Sequence, residues 1–131
     1  MKFSYKRYSE DIIRPVITIE LAHNGQSIRY EALVDSGADI CIFPAELGEI
    51  LELDISNGEA HEVAGITGQK EYYYIHPVTL IVGGHRFNIE AGFMPNFPRY
   101  GYGVVGQLGF FEHFIVRFDY AKQDLELKPR T

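Results

Sequence analysis

The stretch "EALVDSGADICIF", residues 31–43, decides how the rest of the chain is read. Three apolar residues, Ala32, Leu33 and Val34, run up to Asp35, and the apolar run resumes at Ile40. Aspartate is depleted in strands and costly in a core. A strand therefore ends at Val34, and a carboxylate leaves it at its C-terminal end. Gly37 lets the backbone turn tightly and brings amide groups close to that carboxylate. Ser36 offers a hydroxyl donor beneath it. These parts hold and orient an acid, although an ordinary Asx turn between two strands uses the same residue types.

Working outward, Ile13, Ile17, Ile19 and Leu21 alternate as one buried face of a strand over Ile13–Leu21, with Pro15 at an edge. Asn24-Gly25 is a hairpin signal, and the chain returns as a strand from Ile28 to Val34. "FPAELGEIL" predicts a short helix, with Pro44 early and Leu47, Ile50 and Leu51 on one side. The run from Asp54 to Val82 reads as strand, glycine-rich turn, strand, with Gly65 and Gly68 bracketing the tip. Val78, Leu80 and Val82 lead into "GGHRF", a second hairpin, and then into Phe87, Ile89 and Ala91. "GFMPNFPRYGYG" reads as a loop, "QLGFFEHF" as a second short helix, and Phe114–Tyr120 and "DLELKP" as the last strands. Residues 1–11 read as a loose N-terminal arm. The result is a mainly β, small, closed barrel-like single domain over 1–131, with one or two short helices. "EALVDSGADICIFPAEL" and "GYGVVGQLGFFEHF" share an order of apolar strand end, glycine-containing break and short helix.

Size and charge narrow the function. A chain of 131 residues suits one domain with a sizeable core. A net charge of −6 argues against nucleic acid or an anionic membrane as a partner. No window approaches the apolar length of a membrane span, and the start lacks the apolar stretch of a signal peptide. One cysteine, Cys41, excludes an intrachain disulfide and fits a reducing compartment, so a cytoplasmic location is expected. Cys41 lies in an apolar run and reads as buried, with no nearby His to make it a nucleophile. The five histidines lack metal-ligand spacing, so no metal and no cofactor is expected.

One carboxylate is a weak acid–base device. Hydrolysing a peptide without a metal needs a base to activate water and an acid to protonate the leaving amide. Two carboxyls in contact supply both, because like charges so close cannot both ionise. This sequence offers a single Asp in such a setting, and a two-fold dimer would duplicate it across the axis.

The motifs together resemble those of the retropepsin-like aspartic proteases, the single-domain kind that works as a homodimer. "ALVDSGAD" at 32–39 is similar to the family's apolar-apolar-Asp-Thr/Ser-Gly-Ala motif, and "VVG" at 104–106 to its second signature. The hairpin around "VAGITGQ" falls where the family keeps its flap, and order and spacing match from about Ile13 to Pro129. The resemblance implies that Asp35 is catalytic, one per subunit, acting on a peptide or protein substrate. Ser36 would tie the two active-site loops together through its hydroxyl, and Gly37 would accept a substrate amide. Ala38 would complete the loop, with Gly106 packed behind it. Asp39 would fix substrate main chain. Ile40, Ile42 and Val104 would line apolar pockets, and Gly65, Ile66, Thr67 and Gly68 would form the flap tip.

Two departures matter. Viral members carry Arg after the second glycine, where this chain has Gln107. Asp39 would then be held by Arg99 or Arg117, or be free to meet a basic substrate. Viral members also weave their termini into a shared sheet, for which "DLELKPRT" offers few residues. Two other readings compete: a non-catalytic peptide-binding or assembly module with the same shell, and a small barrel with an unrelated ligand cavity.

Overall fold

A computed structural model describes residues 1–64 and 68–130 of the chain. Turn chemistry sets the hairpins. β4 (Val16–His23) and β5 (Gln26–Val34) are joined by Asn24 and Gly25, both at positive φ, as a two-residue turn of this twist requires. Gly83 and Gly84, likewise at positive φ, join β8 (Lys70–Val82) to β9 (His85–Met94). β6 (Ile42–Pro44) and β10 (Gly103–Val105) complete the sheet.

The strand order is β4-β5-β10-β6-β9-β8, and pairing of Glu20–Ala22 with Thr79–Ile81 returns β8 to β4. Six strands thus close into a barrel and leave no edge among themselves. β8 is long enough to serve two partners on one side. Its second half pairs with β4, and its first half with β7 (Glu59–Ala64), so the β7–β8 hairpin stands off the barrel.

The interior follows the alternation of the sequence. Ile17, Ile19 and Leu21 of β4 meet Val78, Leu80 and Val82 of β8, with Phe43, Phe93, Phe110 and Phe114 filling the centre. Each such side chain contributes about 1.5–3 kcal/mol by leaving water. One short helix, α1 (Ala45–Ile50), follows β6 directly and buries Ala45, Leu47 and Gly48.

Four expectations are corrected. Residues 1–11 are not a loose arm. β1 (Lys2–Ser4) pairs with β12 (Asp124–Pro129), which pairs in turn with β11 (Phe114–Asp119). Met1 and Leu127 exchange hydrogen bonds of 2.9 and 2.8 Å, and Phe3 and Tyr5 pack against the core, which fixes the segment. β2 (Lys6–Arg7) pairs with β3 (Ile13–Arg14). The strand expected over Ile13–Leu21 is therefore cut at Pro15, which has no N–H to continue a ladder. The stretch before β7 is a 3-10 turn over Ile55–Asn57 rather than strand. "QLGFFEHF" is a set of tight turns instead of a second helix, because Gly109 sits at φ +96° and breaks the spiral. Among the described residues, no helix is long and apolar enough to cross a membrane.

Candidate active site

β5 delivers Asp35. Its last three residues, Ala32–Val34, run parallel to Gly103–Val105 of β10, so two strands end side by side and their following loops meet. The Asp35 N–H continues the ladder to Val105 O at 3.0 Å. The chain then turns so tightly that the Gly37 N–H donates to Asp35 Oδ1 at 2.9 Å, and the Ala38 N–H reaches Asp35 O at 3.2 Å. The carboxylate is half-buried, with one oxygen held and the loop at Ser36 and Gly37 open to solvent. A bound amide fixes the direction in which the carboxylate points.

The second loop clamps the first. The Gln107 N–H donates to Ala38 O at 2.8 Å and the Leu108 N–H to Asp39 O at 3.0 Å. The Gln107 side chain crosses to Ser36 O at 2.9 Å. Gly106 is there because nothing larger fits: a Cβ would lie 2.5 Å from both Ala38 O and Ile40 O. The turn beyond is capped by Glu112, whose Oε1 accepts the Gly109 N–H at 2.7 Å.

The expected wall residues fall into two neighbouring places. Val104 and Ile42 are cross-strand partners, both half-buried. Ile40 bridges to Leu108 and lines a cavity of about 440 Å³ shared with His61, Ile75, Glu90 and Glu112. Asp39 is exposed, and among the described residues neither Arg99 nor Arg117 pairs with it. Of the expected flap tip, Gly65, Ile66 and Thr67 lie outside the described residues. Gly68 is described, at φ +77° with open space around it.

Two contacts here go beyond the motifs of the sequence. Gln107 stands where viral members carry Arg, and its side-chain amide links the two loops. Tyr73 stacks on His61 at 5.4 Å and lies against Gly92, where a Cβ would meet its ring at 2.7 Å. The Gln107 contact joins residues 71 apart, whereas His61 and Tyr73 are cross-strand partners in the β7–β8 hairpin, where the register and not the residue types brings the rings together. Cys41 is fully buried behind the loop, and burial pushes its thiol up to about 11.

Comparison with known proteins agrees with this geometry. The family model described as aspartyl protease matches residues 19–110, more than half the chain. No curated protein matches. Among solved structures, a retropepsin-like aspartic protease from Rickettsia conorii is similar with a TM-score of 0.66 at 17% identity, over 97% of this chain and 89% of that one. The retroviral protease-like domain of Ddi1 from Leishmania major gives 0.55 at 14% identity, over 86% and 88%. EIAV protease, complexed with the inhibitor HBY-793, gives 0.52 at 18% identity, over 78% and 88%.

Proposed function

The chain belongs to the aspartyl protease family, and on that premise we propose that it is an endopeptidase whose active site is built from the Asp35 loops of two identical subunits. The observation that carries this reading is the Asp35 carboxylate itself. It is oriented by the Gly37 amide, at the end of β5 just after the buried Val34, with one such group per chain.

In the dimer the two Asp35 carboxyls share one proton and hold a water between them. The ionised carboxylate takes a proton from that water as its oxygen attacks the scissile carbonyl. The protonated partner gives its proton to the carbonyl oxygen, and a gem-diol forms. The C–N bond then breaks as the amine nitrogen is protonated, leaving one acid and one amine product. Ser36 and Gly37, exposed on the loop, face the second subunit and the substrate backbone. The β7–β8 hairpin lies over an extended peptide and pairs with its main chain. Ile40, Ile42 and Val104 favour apolar side chains beside the cleaved bond. Because the pair needs one proton, the optimum lies on the acid side of neutrality.

The test is hydrolysis of a diverse peptide library from pH 4 to 7, wild type against Asp35→Asn, with oligomeric state measured in the same samples. The proposal expects cleavage by a wild-type dimer, and none by an equally dimeric variant. A stable wild-type dimer that cleaves nothing would instead favour a peptide-binding module.

A further inference from the structure

The cavity of about 440 Å³ beside the Asp35 loop has a lining that the catalytic reading does not use. Ile40, on the same loop as Asp35, joins it to the catalytic centre and bridges to Leu108 of the clamping turn. The root of the β7–β8 hairpin supplies Glu59, His61 and Ile75. The cavity thus lies between the Asp35 loop and the hairpin, the two parts between which an extended peptide runs.

The lining is chemically divided. Ile40, Ile75 and Leu108 make it apolar in part, and Leu108 is left 59% exposed. Three carboxylates, Glu59, Glu90 and Glu112, complete it, without a Lys or Arg among the lining residues. His61 is the one lining group able to carry positive charge, and it is already engaged by Glu59 at 3.1 Å and stacked on Tyr73 at 5.4 Å. Glu112 accepts the Gly109 N–H, whereas Glu90 is exposed and, among the described residues, has no ion pair. The carboxylates are spread out rather than gathered: among the described residues, no group of three or more His, Cys, Asp or Glu could hold a metal ion. A compact cation would leave the apolar part uncovered. An apolar side chain would desolvate carboxylates and give them no partner. A long side chain with an apolar stem and a cationic end answers both parts.

Resting on the protease reading for its extended peptide, we propose that this cavity is a specificity subsite that takes a lysine or arginine side chain of the substrate, away from the cleaved bond. Ile42 and Val104 then select an apolar residue at the bond, and the three glutamates select a basic one further along. Discrimination comes as much from rejection as from attraction, since an acidic side chain would meet like charge.

The test scans one peptide, the library member cleaved or bound best, with Lys, Arg, norleucine or Glu at each position. Cleavage is read as kcat/KM with wild type. Binding of the same peptides is read by fluorescence anisotropy with Asp35→Asn, which leaves them intact. At one position, Lys and Arg should be favoured over norleucine by about three- to tenfold at low salt, and Glu should be worst. The preference should shrink in about 0.5 M salt. Glu90→Lys should abolish it, and Glu59→Lys with Glu90→Lys should turn it toward Glu. Glu10→Lys makes the same charge change in the exposed turn between β2 and β3 and should not move it. Circular dichroism checks that each variant is folded. Cleavage with no basic preference, or with a preference that Glu90→Lys leaves alone or Glu10→Lys moves equally, would overturn the subsite and leave the protease reading standing. Binding with the expected preference but no cleavage by a wild-type dimer would keep the subsite and strike the protease reading. Neither cleavage nor binding of any peptide would overturn both.

Discussion

Gly106→Ala is the sharpest structural prediction. The added Cβ would lie 2.5 Å from Ala38 O and from Ile40 O, and 3.0 Å from Ala38 C. All three are backbone atoms of the Asp35 loop, so no side chain can turn aside. Relief requires the two loops to part by roughly half an ångström or more, since Cβ contacts under about 3.0 Å are not tolerated. Overpacking of this kind costs about 1–3 kcal/mol. Stretching the 2.8 Å bond from the Gln107 N–H to Ala38 O adds about 1 kcal/mol. The sum, about 2–4 kcal/mol, lowers the melting temperature on the order of 5–15 °C for a chain of this size, at fixed protomer concentration. Misplacing Asp35 by that distance lowers kcat/KM on the order of tenfold, since about 1 Å costs about a hundredfold. Gly92→Ala is the control. Its nearest obstruction is the Tyr73 ring at 2.7 Å, a side chain that can swing away, so the loss should be smaller. Thermal unfolding and peptide-cleavage kinetics on both variants decide the matter. A Gly106→Ala protein that melts and cleaves like wild type would refute the close approach of the two loops.

Gln107→Ala removes the 2.9 Å bond to Ser36 O from an exposed position. It should lower kcat/KM roughly tenfold while costing no more than about 1 kcal/mol of stability in urea titration. Glu112→Ala leaves the Gly109 N–H without its 2.7 Å acceptor, and should cost about 1–3 kcal/mol in the same titration, partly recovered by Glu112→Gln. Cys41 should resist iodoacetamide at pH 8 in the folded protein and label fully in urea. Its thiol is buried and pushed up to about 11, which leaves a thiolate fraction about a hundredfold below that of an exposed cysteine. The same shift has a sign for stability: the unfolded thiol ionises from its ordinary value of 9.0 upward, while the folded one keeps its proton to about 11. Stability therefore falls as pH rises through that window.

What the sequence made legible was local. Asn24-Gly25 and Gly83-Gly84 announce their hairpins because only a few residue types accept two positive φ angles in succession. Asp35-Ser36-Gly37 announces an oriented carboxylate because the Gly37 amide reaches back only two residues. The echo between the segments at 31–47 and 101–114 marks two strands that the fold sets parallel and adjacent. What was not legible was long-range. Gln107 binds a carbonyl 71 residues away, and Met1 bonds to Leu127, a pairing that no window of sequence contains. "QLGFFEHF" has helical spacing, but one glycine at φ +96° turns it into a clamp instead.

The central claim is that one active site takes its carboxylates from two chains. Subunit mixing tests it most directly. Wild type and Asp35→Asn are unfolded together in equal amounts, refolded, and assayed for peptide cleavage at fixed total protein. If both carboxyls are needed, only wild-type pairs cleave, and activity falls to about a quarter of the all-wild-type value. Activity of about half would mean that each chain works alone, and would contradict the account.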